Sequence, residues 1–345
     1  MGKFRVGIIG YGWVAGAHIE AINALPEAEV NAVVSARPLD GAELSARHGS
    51  EIRVYSRVKE MLANPEIDVV SICSYPNDHA RQAVTAARAG KHLIIEKPLA
   101  LSWKDCRKVE AAVKEAGVKT CICFECRFSS QFQTTSAVIR KGLLGEIHYG
   151  EVDYYHGIGP WYGQYRWNTR TDMGGSSLLS AGCHAMDALL LCMGDEVETV
   201  SSYATQSKAK AFQPYEYPTS SVTLLRYADG RIGKVASVID CHQPYYFHTH
   251  LVGSKGSLLD NRLHSNELGG LDQTRWSALS MKMLDSGDVS DHPYQSQFAA
   301  FFAALKKGKQ MALTGLSDAL ATHRVIFAAD RSATVGRPIP VASMK

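Results

Sequence analysis

The sequence predicts two domains: a doubly wound, parallel α/β unit over residues 1–125, then an α+β unit over 126–345 built on a large, mostly antiparallel open sheet. Three observations carry this. Through the first third, short apolar runs alternate with helical periodicity, which implies parallel strands joined by right-handed crossovers. After Arg127 the rhythm changes to longer strand-like stretches separated by hairpin signals. The chain has 345 residues, 46% hydrophobic and 21% charged, which is enough for two cores.

The elements follow in order. "FRVGIIG" (4–10), "EVNAVVS" (29–35), "IDVVSICS" (67–74), "KHLIIE" (91–96) and "VKTCICFE" (118–125) read as strands bounded by polar or Gly/Pro signals. Between them Val14, His18, Ile22 and Leu25 share one helical face. The same holds for Ala80, Ala83, Val84 and Ala87, and for Val109, Ala112, Val113 and Ala116. A helix-like segment at 130–142 opens the second domain. Strand-like "EIHYGEVDYYH", "VETVSSYATQ", "SSVTLLRYA", "IGKVASVIDCH" and "HTHLVGSKGSLLD" follow, with "YADGRIG" as a hairpin signal. No internal repeat or low-complexity segment is present.

Composition narrows the function classes. A formal net charge of +3 without long Lys/Arg runs selects neither nucleic acid nor an anionic membrane. "MGKF" runs directly into a glycine-rich strand, unlike a signal peptide, and no apolar run is expected to span a membrane, so the cytoplasm is the expected location. Eight scattered cysteines are expected as free thiols there. "CICFEC" suggests metal, but it lacks a second ligand pair, and its alternation is that of a buried strand, so no metal site is assigned.

The first strand ends in "GIIGYGWVAGAH", where Gly10, Gly12 and Ala15 form G-x-G-x-x-A at a strand-to-helix turn. Gly10 permits the tight turn, Gly12 lets the backbone approach a pyrophosphate, and Ala15 lets the helix pack closely, with Trp13 and Val14 in the same loop. In an alternating β/α series this predicts a Rossmann dinucleotide-binding domain over 1–125. The second strand ends in "VVSARPLD", with Ser35 where an NAD site normally offers an acid to the ribose 2′-hydroxyl, and Arg37 two residues on. A hydroxyl with a guanidinium suits a 2′-phosphate, so NADP(H) is the expected cofactor, with NAD(H) as the alternative.

With "SYPNDHARQAVTAARAGKHLIIEKPLA" and "GGSSLLSAGCHAMDALLLCMGD", these residues make the chain resemble the Gfo/Idh/MocA oxidoreductases, the glucose–fructose oxidoreductase and inositol dehydrogenase family. The resemblance runs from residue 3 nearly to the C-terminus, where "FAAFFAALKKGKQ" and "AADRSATVGRPIPV" also fit. It implies that Ser74, Tyr75, Pro76 and Asn77 line the cofactor's ribose and nicotinamide side, with His79 beside them or else in a capping or packing role. Glu96 and Lys97 end a strand where a nicotinamide would lie. The resemblance makes Lys97 catalytic, gives a cis Lys97–Pro98 bond and leaves Glu96 to anchor the turn.

Ser180, His184 and Asp187 fall at i, i+4 and i+7 on an otherwise apolar helix, and such a stripe needs polar partners or a ligand. Many family members carry Asp-x-x-x-His here. His184 carries over as general acid/base or substrate ligand, whereas Ser180 replaces the Asp and is expected as a substrate contact. Asp187 or Asp172 is then the expected source of a charge for His184. The loop 154–175 is dense in Tyr155, Trp161, Tyr162, Arg166 and Trp167, residue types suited to the faces and hydroxyls of a sugar ring; these, with Arg127 and Lys97, are the expected substrate contacts. The expected activity is a dehydrogenase or reductase acting on a sugar, sugar derivative or inositol, with Lys97 and His184 handling the proton. The alternatives are a nicotinamide-dependent glycosidase working by oxidation and elimination, and a non-catalytic sugar sensor. Residues 126–345 are expected to bind substrate and to form a homodimer or homotetramer through the open sheet.

Overall fold

A computed structural model describes residues 2–344, which divide into two compact units. One runs to Glu125 and includes Val289–Leu320; the other takes Cys126–Asp288 and the chain from Ala321 onward. The expected division into 1–125 and 126–345 is therefore revised, because residues 289–320 return to the first unit.

The first unit holds a six-stranded parallel sheet of β1 (Phe4–Ile9), β2 (Ala28–Val34), β3 (Arg53–Tyr55), β4 (Val69–Ile72), β5 (His92–Ile95) and β6 (Thr120–Ile122), ordered β3-β2-β1-β4-β5-β6. This is the doubly wound order whose switch point lies between β1 and β4. Its connections carry α1 (Trp13–Asn23), α2 (Gly41–His48), α3 (Val58–Leu62), α4 (Pro76–Arg88) and α5 (Trp103–Ala116). All four residues of β4 are buried, as a parallel strand covered on both faces should be. The edge strand β3 has only three residues, one of them buried, which is too little apolar pattern to announce it.

The second unit contains α6 (Ser130–Arg140), α7 (Tyr165–Asn168), α8 (Thr171–Gly174) and α9 (Cys183–Met193); the chain then reaches α10 (Tyr294–Lys306) and α11 (Leu316–Val335). Helix α10 explains the return to the first unit. Phe302 stacks on Phe4 of β1 with ring centroids 5.6 Å apart, and Phe298 meets His18 of α1 edge-on at 4.9 Å.

A nine-stranded sheet organises the second unit: β7 (Ile147–Tyr155), β8 (Val197–Thr205), β9 (Ser220–Tyr227), β10 (Ile232–Val238), β11 (Tyr246–Gly253), β12 (Gly256–Leu259), β13 (Arg262–Ser265), β14 (Ser277–Ala278) and β15 (Ile339–Pro340). The order is β14-β13-β12-β11-β7-β10-β9-β8-β15; β7 and β10 pair in parallel, and the other neighbours are antiparallel. One face lies under α9. A methyl group at Gly150 would come within 2.4 Å of Met193, and one at Gly233 within 2.9 Å of Leu189, so both glycines let the helix approach. Among the described residues, the stretch 171–193 is long and apolar enough to cross a membrane by composition, contrary to expectation. The most apolar window of that stretch is 89% buried inside the protein.

Candidate active site

In the first unit the site begins at the end of β1. Gly10 has φ +90°, and a methyl group there would lie 2.9 Å from the Ser74 backbone at the end of β4. Only glycine allows the two strand ends to meet at this distance. Gly12 precedes α1 in extended conformation; no side chain caps the helix, and nothing lies within 4 Å of where a methyl group would stand. Gly12 thus leaves the approach to the start of α1 open, where a pyrophosphate would be held. Ala15 is fully buried, Val14 is half-buried and Trp13 is exposed. The residues fit a dinucleotide.

At the end of β2 the Ser35 hydroxyl accepts the Arg37 N–H (3.0 Å), and the Arg37 guanidinium donates to the Tyr11 carbonyl (2.6 Å). Arg37 therefore reaches back over the glycine turn. Across the switch point, the Ser74 hydroxyl donates to Gln82, while Tyr75 and Asn77 stand exposed at the start of α4.

Glu96 and Lys97 end β5 on a turn with a cis Lys97–Pro98 bond. The Glu96 carboxylate is buried and anchors the turn from within. Its Oε1 lies 2.9 Å from His18 Nε2 and accepts the Tyr294 hydroxyl (2.9 Å), and its Oε2 accepts the Lys97 N–H (3.1 Å). Burial by itself would raise Glu96, but the hydrogen bond and charge of His18, with help from Lys97 and Tyr294, bring it to about 2. Burial likewise opposes charge on His18; Cys73, 3.3 Å from its Nδ1, and Glu96 outweigh it and raise His18 to about 10. The pair is a buried imidazolium and carboxylate. On the other side of the turn, His79 is buried, with Nδ1 2.7 Å from the Pro98 carbonyl and Nε2 3.0 Å from the Ser74 carbonyl. Burial lowers its pKa, so the neutral ring donates one proton, which the closer Pro98 contact accommodates better. Through that bond His79 holds the Lys97 turn at Pro98.

Sequence reasoning missed Glu125. Glu125, just after β6, is 1% exposed, and its Oε1 lies 3.3 Å from His292 Nδ1. Burial and the Glu96 charge raise it to about 8, against the pull of Lys97. An acid inside the alternating run "CICFEC" was the available signal; the cysteines around it drew attention instead. Those thiols are buried, and burial pushes Cys121 up to about 12.

In the second unit, a π-helical turn (Leu178–Gly182) precedes α9, so Ser180 lies outside the regular helix that carries His184 and the expected i, i+4 stripe is broken. Such turns recur at functional sites. Gly182 brings the turn against β10, where a methyl group would meet Ser237 at 2.4 Å. The buried Ser180 hydroxyl acts on the Tyr217 phenol, which burial raises. His184 is buried, with Nδ1 3.6 Å from Cys126 Sγ.

The two acids expected to serve His184 also have arginine partners. Asp187 forms a two-pronged, buried ion pair with Arg127 (2.7 and 2.8 Å) and accepts the Thr322 hydroxyl (2.9 Å). Asp172 pairs with Arg170 at the surface. Arg127, expected at the substrate, thus braces α9 from within. Tyr155 on β7 shares the sheet face of Glu151 and Asp153, stacks on Tyr246 at 6.0 Å, and points away from the face under α9. In the loop, the Tyr162 hydroxyl donates to the Gly287 carbonyl (2.6 Å), Trp167 is half-buried, and Arg166 and Trp161 are exposed.

Comparison with known proteins matches this architecture. Residues 4–124 fit the family model described as an oxidoreductase family with an NAD-binding Rossmann fold, and residues 132–259 fit the GFO/IDH/MocA C-terminal domain. The chain is 24% identical to a myo-inositol 2-dehydrogenase of Thermotoga maritima, covering 90% of this chain and 91% of that one. It is 26% identical to an inositol 2-dehydrogenase of Rhizobium meliloti, covering 98% and 99%. A solved levoglucosan dehydrogenase, in complex with NADH and levoglucosan, superposes with a TM-score of 0.83 at 23% identity, covering 98% and 99%; at that identity the likeness speaks for the fold.

Proposed function

Because the chain belongs to the Gfo/Idh/MocA oxidoreductase family, we propose that it is an NADP(H)-dependent dehydrogenase or reductase of a sugar, sugar derivative or inositol. The observation that carries this reading is the Lys97 turn. It sits at the carboxyl end of β5, one strand from the switch point at which Gly10 and Ser74 meet, and it is pinned by Glu96 on one side and His79 on the other. A half-buried lysine held this way has a fixed backbone from which to present its ammonium.

Bound nicotinamide supplies the hydride acceptor or donor. Lys97 takes the proton from the reacting hydroxyl in oxidation and returns it to the carbonyl oxygen in reduction. His184 serves as the second acid–base or substrate-binding group, and Ser180 as a substrate contact. The preference for NADP(H) rests on Ser35 and on Arg37, whose guanidinium is directed over the glycine turn. The relatives named inositol 2-dehydrogenases support a neutral carbohydrate or polyol as substrate. Self-association through the open sheet is supported by Tyr203, Val222, Leu224 and Ile232, large apolar side chains exposed on neighbouring strands β8, β9 and β10.

The test is nicotinamide absorbance during incubation with NADP⁺, and separately NAD⁺, across sugars, inositols and sugar acids. The expected outcome is faster reduction of NADP⁺, with kcat lowered about 10²- to 10⁴-fold by Lys97→Ala. Absence of reduction with every substrate, with nicotinamide recovered from the denatured protein, would turn the reading to oxidation–elimination glycoside cleavage.

A further inference from the structure

The loop after β7 builds a platform that the redox reading leaves unused. Trp161 lies flat on the backbone of Gly159, where a methyl group would come within 2.4–2.6 Å of three indole carbons. Gly157 is pressed against the Cys241 carbonyl in the same manner, at 2.3 Å. The indole N–H donates to the Gly157 carbonyl (3.0 Å), and fully buried Phe212 meets the ring edge-on at 6.0 Å. The ring is fixed and its polar atom is satisfied inside the loop, yet Trp161 remains 60% exposed. What it offers to solvent is apolar ring surface.

This surface forms one wall of an open cleft of about 480 Å³, completed by His156, His242, Gln243, Pro244 and Tyr245. That volume lies within the usual range for small-molecule sites. The His156 ring is held by the Tyr154 hydroxyl, 3.0 Å from Nδ1, and by Tyr162 and Tyr245 edge-on at 4.5 and 5.2 Å. A flat aromatic wall with a rim of imidazole, amide and phenol groups is complementary to a pyranose, whose C–H face packs on the ring while its hydroxyls reach the rim. Among the described residues no lysine, arginine or carboxylate lines the cleft, so an acidic or phosphorylated sugar finds no counter-charge there.

We propose that this cleft binds a neutral hexopyranose ring other than the one that reacts, since neither Ser180 nor His184 lines it. The substrate class that follows is a glycoside or oligosaccharide with its second ring seated on Trp161; this deepens the carbohydrate oxidoreductase reading and rests on it.

Calorimetric titration of the protein with cellobiose and with methyl β-glucopyranoside tests the site without requiring turnover. Saturable binding is expected for the unmodified protein, about tenfold weaker in Trp161→Ala and largely restored in Trp161→Phe, with thermal melting to confirm that both variants fold. In turnover, Trp161→Ala should raise KM for a disaccharide about tenfold more than KM for a monosaccharide. No binding by the unmodified protein, equal binding by Trp161→Ala, or equal KM changes for the two sugar classes would each overturn the proposal. Trp161-dependent binding without any nicotinamide reduction would instead overturn the dehydrogenase reading and leave the sugar site standing.

Discussion

Glu96 and Glu125 follow neighbouring strands of one sheet, both are buried, and they titrate in opposite directions. Glu96, at the end of β5, falls to about 2, and Glu125, just past β6, rises to about 8. Burial pushes both upward, so burial does not separate them. The charges beside them do: Glu96 has the His18 imidazolium at 2.9 Å, the Tyr294 hydroxyl at 2.9 Å and the Lys97 N–H, whereas Glu125, 3.3 Å from His292, feels the repelling charge of Glu96 itself. Once one carboxylate has taken the nearby cation, the second is driven to keep its proton. The Lys97 turn is therefore bordered by a permanent anion that holds it in place and by an acid able to exchange a proton near neutral pH.

The largest break in this comparison is Glu96→Gln, which leaves the His18 imidazolium without its carboxylate. Removing one partner of a buried pair costs about 3–5 kcal/mol, read as a lowered urea midpoint at pH 7. The pH dependence should change with it. His18, raised to about 10, contributes stability that is full below its ordinary value of 6.5 and fades as pH rises toward 10; Glu96, lowered to about 2, contributes stability present above 4.5 and lost as pH falls toward 2. Both slopes should flatten in the variant. An unchanged urea midpoint would mean that the pair is not ionised.

Tyr294→Phe is a gentler cut, since it removes one donor from Glu96 and leaves the ion pair. A hydrogen bond to a buried charge contributes about 1.5–3 kcal/mol, and the stacked contact of residue 294 with Phe298 at 5.6 Å survives the change. The free energy of unfolding should fall by that amount, read as a lowered urea midpoint, with the alkaline slope of His18 retained. A loss as large as that of Glu96→Gln would show that the phenol, rather than His18, holds the carboxylate ionised.

Much of this region was legible in the sequence. G-x-G-x-x-A, the Lys97 turn and the alternating strands are local patterns, because a glycine turn and a period of two or 3.6 are fixed by neighbouring residues. The His18–Glu96 pair spans 78 positions, Tyr294–Glu96 198, and Arg127–Asp187 60. Side-chain pairs of that separation have no periodic trace, which is why Arg127 was assigned to the substrate and Glu125 was overlooked. The return of 289–320 to the first unit was hidden in the same way, since the apolar face of α10 does not name its partner. Tyr155 is different: the alternation of Glu151, Val152, Asp153 and Tyr154 already put it on the polar face of β7. The π turn at 178–182 has no comparable local signature, so the stripe read as i, i+4, i+7 assumed a regular helix where Gly182 presses the chain onto Ser237.

Glu125→Gln should have its smallest effect in acid and is the sharpest discriminator between the two carboxylates. Below pH 4.5 Glu125 holds its proton in the folded and the unfolded chain alike, so an amide of the same shape should change stability by no more than about 1 kcal/mol there. The difference lies in the slope. The folded state keeps a proton that the unfolded chain releases near 4.5, so the unmodified protein loses stability as pH rises from 4.5 to about 8, and each unit of that window carries about 1.4 kcal/mol. Glu125→Gln removes this loss and should be the more stable protein at pH 9, the opposite of Glu96→Gln at any pH between 5 and 9. Melting temperatures of the three proteins across that range decide it. If Glu125→Gln melts in parallel with the unmodified protein throughout, Glu125 is ionised like Glu96, and the contrast between the two strand ends collapses.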